Sequence, residues 1–200
     1  MNRYRRIVLA WLVSIGVGCT SAPVRHYTLS PPPDKTSPVS EPAFAIDVRV
    51  VRTPSQLNRS QLMVRTGPSE VWLLENERWA APVNDEIKSA LRLALQRRLG
   101  GMAGLRAAFT QLTLDIDVQR LEAELGRYAV LEASWIATLS TASPPSTGAR
   151  TVACTFQAEE KIPAGYAAMV EGYQREIAAL ADAIAAAVTR TAGGTGSPCH

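Results

Sequence analysis

The stretch LTLDIDVQRLEAELGRYAVLEASWIATL, residues 112–139, decides the fold. Leu112, Leu114, Ile116 and Val118 alternate with Thr113, Asp115, Asp117 and Gln119. A period of two is the signature of a strand with one buried face. Ala129, Leu131, Ala133, Trp135, Ala137 and Leu139 repeat the pattern after Gly126-Arg127, a turn signal. The stretch therefore reads as a long antiparallel hairpin. A third strand follows, with Val152, Cys154, Phe156 and Ala158 on its apolar face. The link at 143–148, rich in Ser, Pro and Gly, reads as an exposed loop.

Outward from this hairpin the period changes. Val83, Ile87, Leu91, Leu95 and Leu99 are spaced for one helical stripe. Pro82 suits its start, Asp85 and Glu86 favour the positive end of its dipole, and Gly100-Gly101 stops it. A second helix is predicted over 166–189, with Tyr166, Met169, Tyr173, Ile177, Leu180, Ile184 and Val188 on one side. Upstream, Phe44, Ile46, Val48 and Val50 alternate as a strand. Two short strands, 62–65 and 70–74, flank the turn Thr66-Gly67-Pro68-Ser69. One-sided strands with two amphipathic helices predict an α+β fold, a mostly antiparallel sheet with both helices on one face.

The ends differ in character. Arg3, Arg5 and Arg6 precede an uncharged apolar run, Ile7 to Val17, and then Gly18-Cys19. Eleven helical residues extend about 16 Å, too short for a bilayer core of about 30 Å. Charge, short apolar run and small-residue exit describe a signal peptide. Gly16-Val17-Gly18-Cys19 resembles the lipobox of bacterial lipoproteins, although Gly16 stands where the pattern prefers Leu. The expected organisation is a signal peptide over 1–18, a lipidated Cys19 with an extended Pro-rich tether over 19–43, an α+β periplasmic domain over 44–190, and a flexible tail over 191–200. Within the tether, Tyr27–Ser30 has the makings of an edge strand. Thr20-Ser21 after the cysteine, with no Asp, favours the outer membrane by analogy with bacterial sorting.

Composition excludes several functions. The chain is 46% hydrophobic and 20% charged, enough apolar surface for a core. Without the three leader arginines, 18 basic residues face 18 acidic ones. A near-neutral domain does not suit nucleic acid, which needs a basic face. Cys19, Cys154 and Cys199 form no CxxC pair, and the two histidines, His26 and His200, lie near the ends. No metal, cofactor or catalytic residue is expected. Asp115 and Asp117 share a strand face and read as a solvated surface; Glu70, Glu75 and Glu77 raise the same question of acid–base chemistry. Cys154 is expected as a buried thiol, although an oxidising compartment permits a bridge to Cys199.

Four residues are candidate partner contacts. Arg59 and Arg78 suit either pairing with acidic groups on a partner or bracing of local turns. Trp79, before Pro82, suits either helix–sheet packing or recognition, and Trp72 has the same two readings.

The leader with Cys19, Tyr27-Thr28-Leu29, the run Leu57-Asn58-Arg59-Ser60-Gln61-Leu62-Met63-Val64-Arg65 and the run Glu77-Arg78-Trp79-Ala80-Ala81-Pro82-Val83 together resemble the auxiliary lipoproteins of ABC-type transport systems, the PqiC-like group. Gln56 and Val83 stand where that pattern often has Tyr and Leu. The resemblance spans most of the mature chain. It implies an accessory, non-catalytic lipoprotein that docks a mammalian-cell-entry (MCE) domain protein at the periplasmic face of the outer membrane, in transport of lipids or other hydrophobic molecules. A partner family built as rings implies a homo-oligomer. A stand-alone envelope lipoprotein with a structural or assembly role is the alternative.

Overall fold

The computed structural model describes residues 22–32, 45–100, 109–141, 148–194 and 199. The leader and Cys19 lie outside them. The strands are β1 (Arg25–Tyr27), β2 (Ala45–Arg52), β3 (Gln61–Gly67), β4 (Glu70–Trp79), β5 (Gln111–Glu124), β6 (Tyr128–Ser140) and β7 (Arg150–Glu160). The helices are α1 (Val83–Leu99) and α2 (Tyr166–Gly193). The fold is α+β, as the alternation implies.

The hairpin at the centre is longer than its alternation suggests. A register shift between Val118 and Arg120 moves the buried set from Leu112, Leu114, Ile116 and Val118 to Leu121 and Ala123. Such a bulge inserts one residue and exchanges the faces, so the run looks broken where the strand continues. Gly126 turns the chain at φ 78°. Its N–H reaches the Pro163 carbonyl at 3.3 Å, which ties the hairpin end to the β7–α2 linker.

One sheet was the expectation, and the strands divide into two. The larger has the order β2-β5-β6-β7, the smaller β1-β4-β3. Most pairings are antiparallel, but β2 on β5 and β1 on β4 are parallel. Alternation reports which face is buried and is silent on which strands pair, so neither the division nor the parallel edges could be read from it.

Both predicted helical stripes are buried. Val83, Ile87, Leu91, Leu95 and Leu99 of α1 and Met169, Tyr173, Ile177, Leu180, Ile184 and Val188 of α2 lie in one core with the inner face of the larger sheet. Arg98 links the helices, donating to the Asp182 carboxylate and, at 2.9 Å, to the Ala178 carbonyl. At Gly172, α2 comes so close that an added Cβ would stand 2.6 Å from Ile162 Cγ2 and 3.3 Å from Ala129 Cβ.

The chain ends are held more firmly than their composition suggests. Part of the expected tether enters the fold: β1 begins at Arg25, and Leu29 is fully buried. At the other end α2 continues to Gly193, and Cys199 is disulfide-bonded to Cys154. Cys154 does lie on the inner face of β7, but it is bridged rather than a free thiol.

Candidate functional site

Three of the segments that carry the resemblance, 27–29, 57–65 and 77–83, are far apart in sequence and converge around Trp79. β1 runs parallel to the end of β4, with Arg25, His26 and Tyr27 opposite Glu77, Arg78 and Trp79. The Trp79 N–H donates to the Ser60 carbonyl at 2.8 Å, and the Ala80 N–H to the Tyr27 carbonyl at 2.8 Å. Leu57, Gln61, Trp79, Val83 and Tyr173 line one small cavity of about 20 Å³. The ring of Trp79 lies 6.4 Å from that of Tyr173, tilted by 41°. That packing leaves Trp79 only 7% exposed. Trp79 thus packs the sheet–helix junction, and its ring is covered.

Two buried carboxylates clamp the N-terminal segment onto this centre. Glu77 accepts hydrogen bonds from Arg25 Nε at 2.9 Å and from the Tyr27 hydroxyl at 2.7 Å. Burial and the hydrogen bond to Glu77 raise the pKa of the Tyr27 hydroxyl. Glu86, in the first turn of α1, accepts from Thr28 Oγ1 at 2.7 Å and from the buried Leu29 N–H at 2.8 Å. Gln174 of α2 donates to the Thr28 carbonyl at 3.0 Å. Charged acceptors make the stronger class of hydrogen bond. Glu77, weighed above for acid–base chemistry, is occupied with holding β1. Glu86 had been read only as a helix-dipole partner; its distant target, 58 residues upstream, left no local signal.

Arg59 and Arg78 take different positions. Arg59 is exposed just after the 3₁₀ turn Ser55–Leu57. Arg78 is half-buried and its Nε donates to the Glu75 carbonyl at 3.2 Å, bracing its own strand. Trp72 is the outward one: 59% exposed, between the exposed Val71 and Leu73, with its indole N–H on Glu70 Oε1 at 3.1 Å. The structure therefore gathers Arg78 and Trp79 with the N-terminal clamp and leaves Trp72 apart, on the β3–β4 hairpin.

That hairpin is braced at its turn. Arg65 donates to the Gly67 and Pro68 carbonyls at 3.1 and 3.0 Å, and pairs at 2.5 Å with Glu122 of β5. Glu122 also accepts from Arg120 at 2.8 Å and from the Tyr128 hydroxyl at 2.9 Å. The Arg65 hydrogen bond, opposed by burial and helped by Arg120 and Tyr128, pulls its pKa down to about 2. On the outer face of the larger sheet, Arg49 pairs with Asp115, whose pKa is lowered chiefly by that hydrogen bond. An open groove of about 620 Å³ lies beside it, lined by Arg52, Asp117, Ser134, Ile136 and Thr155 among others. Among the described residues, no group of three His, Cys, Asp or Glu side chains is placed to hold a metal ion. No helix among them is long and apolar enough to cross a membrane.

Comparisons with known proteins agree with this architecture. A family model described as the ABC-type transport auxiliary lipoprotein component matches residues 27–185. A crystal structure described as an uncharacterized protein superposes with a TM-score of 0.61 at 18% identity, covering 82% of this chain and 97% of that one. Protein XCC0632 from Xanthomonas campestris, described as belonging to DUF330, superposes with a TM-score of 0.54 at 18% identity, covering 84% and 94%. At that identity these two establish likeness of fold. No curated protein is matched. The match runs from Tyr27, the last residue of β1, through all of α1 and into α2, and the chain belongs to the ABC-type transport auxiliary lipoprotein component family, an accessory lipoprotein of envelope transport.

Proposed function

We propose that this chain is anchored by lipid on Cys19 at the periplasmic face of the outer membrane and acts there as a non-catalytic docking subunit. Its partner is an MCE-domain periplasmic protein of an ABC-type system that moves lipids or other hydrophobic molecules. The observation that carries the reading is the clamp. Six residues after Cys19 the chain is already locked to β4, and Glu77 and Glu86 hold it with five hydrogen bonds. An anchor attached this way holds the domain close to the bilayer, as a docking subunit requires. Several acyl chains on one residue anchor stably, at about 0.8 kcal/mol per buried CH₂. The near-neutral mature chain contributes no general electrostatic attraction to membranes, so the lipid has to supply attachment. Arg59 and Arg78 are the side chains proposed to meet partners; assembly with further copies of the chain belongs to the same proposal. Crosslinking in intact cells, purification of the lipidated protein and mass spectrometry of its companions test this. Recovery of an MCE-domain protein supports the reading. Its absence, while known outer-membrane neighbours are captured, refutes it. Native mass spectrometry showing monomer alone at high concentration refutes the oligomer.

A further inference from the structure

Five large apolar side chains are exposed among the described residues: Val24, Val71, Trp72, Leu73 and Ile136. Three of them, Val71, Trp72 and Leu73, are on the smaller sheet. Val71, Trp72 and Leu73 are consecutive on β4, so both faces of the β3–β4 hairpin are apolar near its turn. Trp72 lies opposite Val64 and Leu73 opposite Met63. Val64 and Leu74 are buried, so Trp72 continues their face beyond the end of the core. Three consecutive exposed apolar residues on a braced strand are costly in water and imply a contact.

The direction of β1 identifies the contact. Because β1 and β4 are parallel, the chain upstream of Arg25 runs back toward the Glu70 end of β4, the end that carries the apolar residues. Trp72 lies five residues before Glu77, the partner of Arg25, about 17 Å along a strand. Cys19 lies six residues before Arg25, a reach of up to about 20 Å. From Ala22, the first described residue, Cys19 is within about 10 Å. Lipid on Cys19 is thus within chain reach of the level of the exposed β4 tip. Val24, immediately before β1, is also exposed.

We infer that the β3–β4 hairpin rests its Val71-Trp72-Leu73 tip in the headgroup layer of the membrane that carries the Cys19 lipid, as a second contact fixing the domain's orientation. This rests on the lipid-anchor reading above. Tryptophan is enriched at such interfaces because its ring is apolar while its N–H is polar. The depth is limited by the backbone. Among the described residues β1 pairs only with Glu77–Trp79 on that edge of β4, and the backbone groups left open before Glu77 exclude the tip from the hydrocarbon core. Glu70, bonded to the Trp72 indole, keeps a charge at the tip and sets the same limit. The contact is therefore with the interface, and the lipid remains the main anchor.

Tryptophan fluorescence tests this directly. Trp11 lies in the leader, while Trp79 and Trp135 are buried, so Trp72 is the accessible reporter in the processed chain. The full lipidated protein is reconstituted into phosphatidylethanolamine–phosphatidylglycerol vesicles, with or without acyl chains brominated near the headgroup. The expected result is quenching by the brominated lipid of at least a third of the emission. Trp72→Phe should abolish that component, and aqueous acrylamide should quench Trp72 at least threefold less than in detergent-free soluble Cys19→Ser protein. Mass spectrometry of Cys19 separates the two readings. Lipidated protein that floats with vesicles without bromolipid quenching overturns the hairpin contact and leaves the anchor standing. Loss of acrylamide quenching without bromolipid quenching also overturns it, and assigns the tip to a second copy of the chain. An unmodified Cys19 overturns both.

Discussion

Replacing Glu176 with Gln should remove most of the pH dependence of stability between about pH 5 and pH 8. Glu176 lies on α2, 2% exposed, with neither carboxylate oxygen in a hydrogen bond. Burial, with repulsion from Glu160 and Glu159 and partial relief from Arg175, raises its pKa from 4.5 to about 8. Arg175 is itself paired with Glu160 at 2.5 Å, so it offers Glu176 only a share of its charge. The sign follows from proton counting. Between the two values the folded chain holds a proton that the unfolded chain has lost, so stability falls as pH rises. The contribution is complete below pH 4.5 and is lost as pH approaches about 8. At about 1.4 kcal/mol per pH unit, the loss across this window reaches up to about 5 kcal/mol. That is a large part of the 5–15 kcal/mol typical of a domain. Glutamine keeps the shape and cannot ionise. Urea unfolding should then give Glu176→Gln and wild type within about 1 kcal/mol at pH 5, and the variant several kcal/mol ahead at pH 8.5. Glu122 does not confuse the result, because its low pKa near 2 affects stability only below pH 4.5. Parallel curves for the two proteins across pH 5–8.5 would refute the reasoning.

Three further outcomes are expected. Glu86→Ala strips the buried Leu29 N–H and the Thr28 hydroxyl of their acceptor; it should cost about 1–3 kcal/mol in urea unfolding and make cleavage in residues 25–29 by a broad-specificity protease faster. Gly172→Ala should destabilise by about 1–3 kcal/mol although alanine is the better helix former, because its Cβ meets Ile162 and Ala129; a gain in melting temperature would contradict the close approach. Non-reducing mass analysis should show Cys154 and Cys199 two hydrogens lighter than the free thiols, and reduction should lower stability by about 2–4 kcal/mol, since the bridge closes a long loop with a sequence separation of 45; two free thiols in the purified protein would rule the bridge out.

Much of the fold was legible because burial leaves a local period. The α1 and α2 stripes and the β5–β6 hairpin are buried along the residues that their spacing selects. What escaped is non-local. The Val118–Arg120 bulge disguised five further residues of β5, since a change of face reads as an end of strand. β1 is three residues long and half polar, and it is a strand only because Glu77 and Trp79 wait 52 residues downstream. The same distance hid the clamp: Glu86 among first-turn acids looks like an ordinary dipole partner. Trp72 and Trp79 are alike in sequence context, and only the packing of Tyr173 separates a buried ring from an exposed one.

The two parallel pairings have a temporal consequence. The ribosome delivers the chain from its N-terminus at about 5–20 residues per second. Arg25 must wait for Glu77, Thr28 for Glu86, and Ala45 for Gln111. The N-terminal segment is therefore made well before the surface it docks onto. For several seconds the stretch from Arg25 has no surface to fold onto, and on the lipid-anchor proposal an enzyme acting on Cys19 would meet an open chain. Completion of the domain then closes that interval.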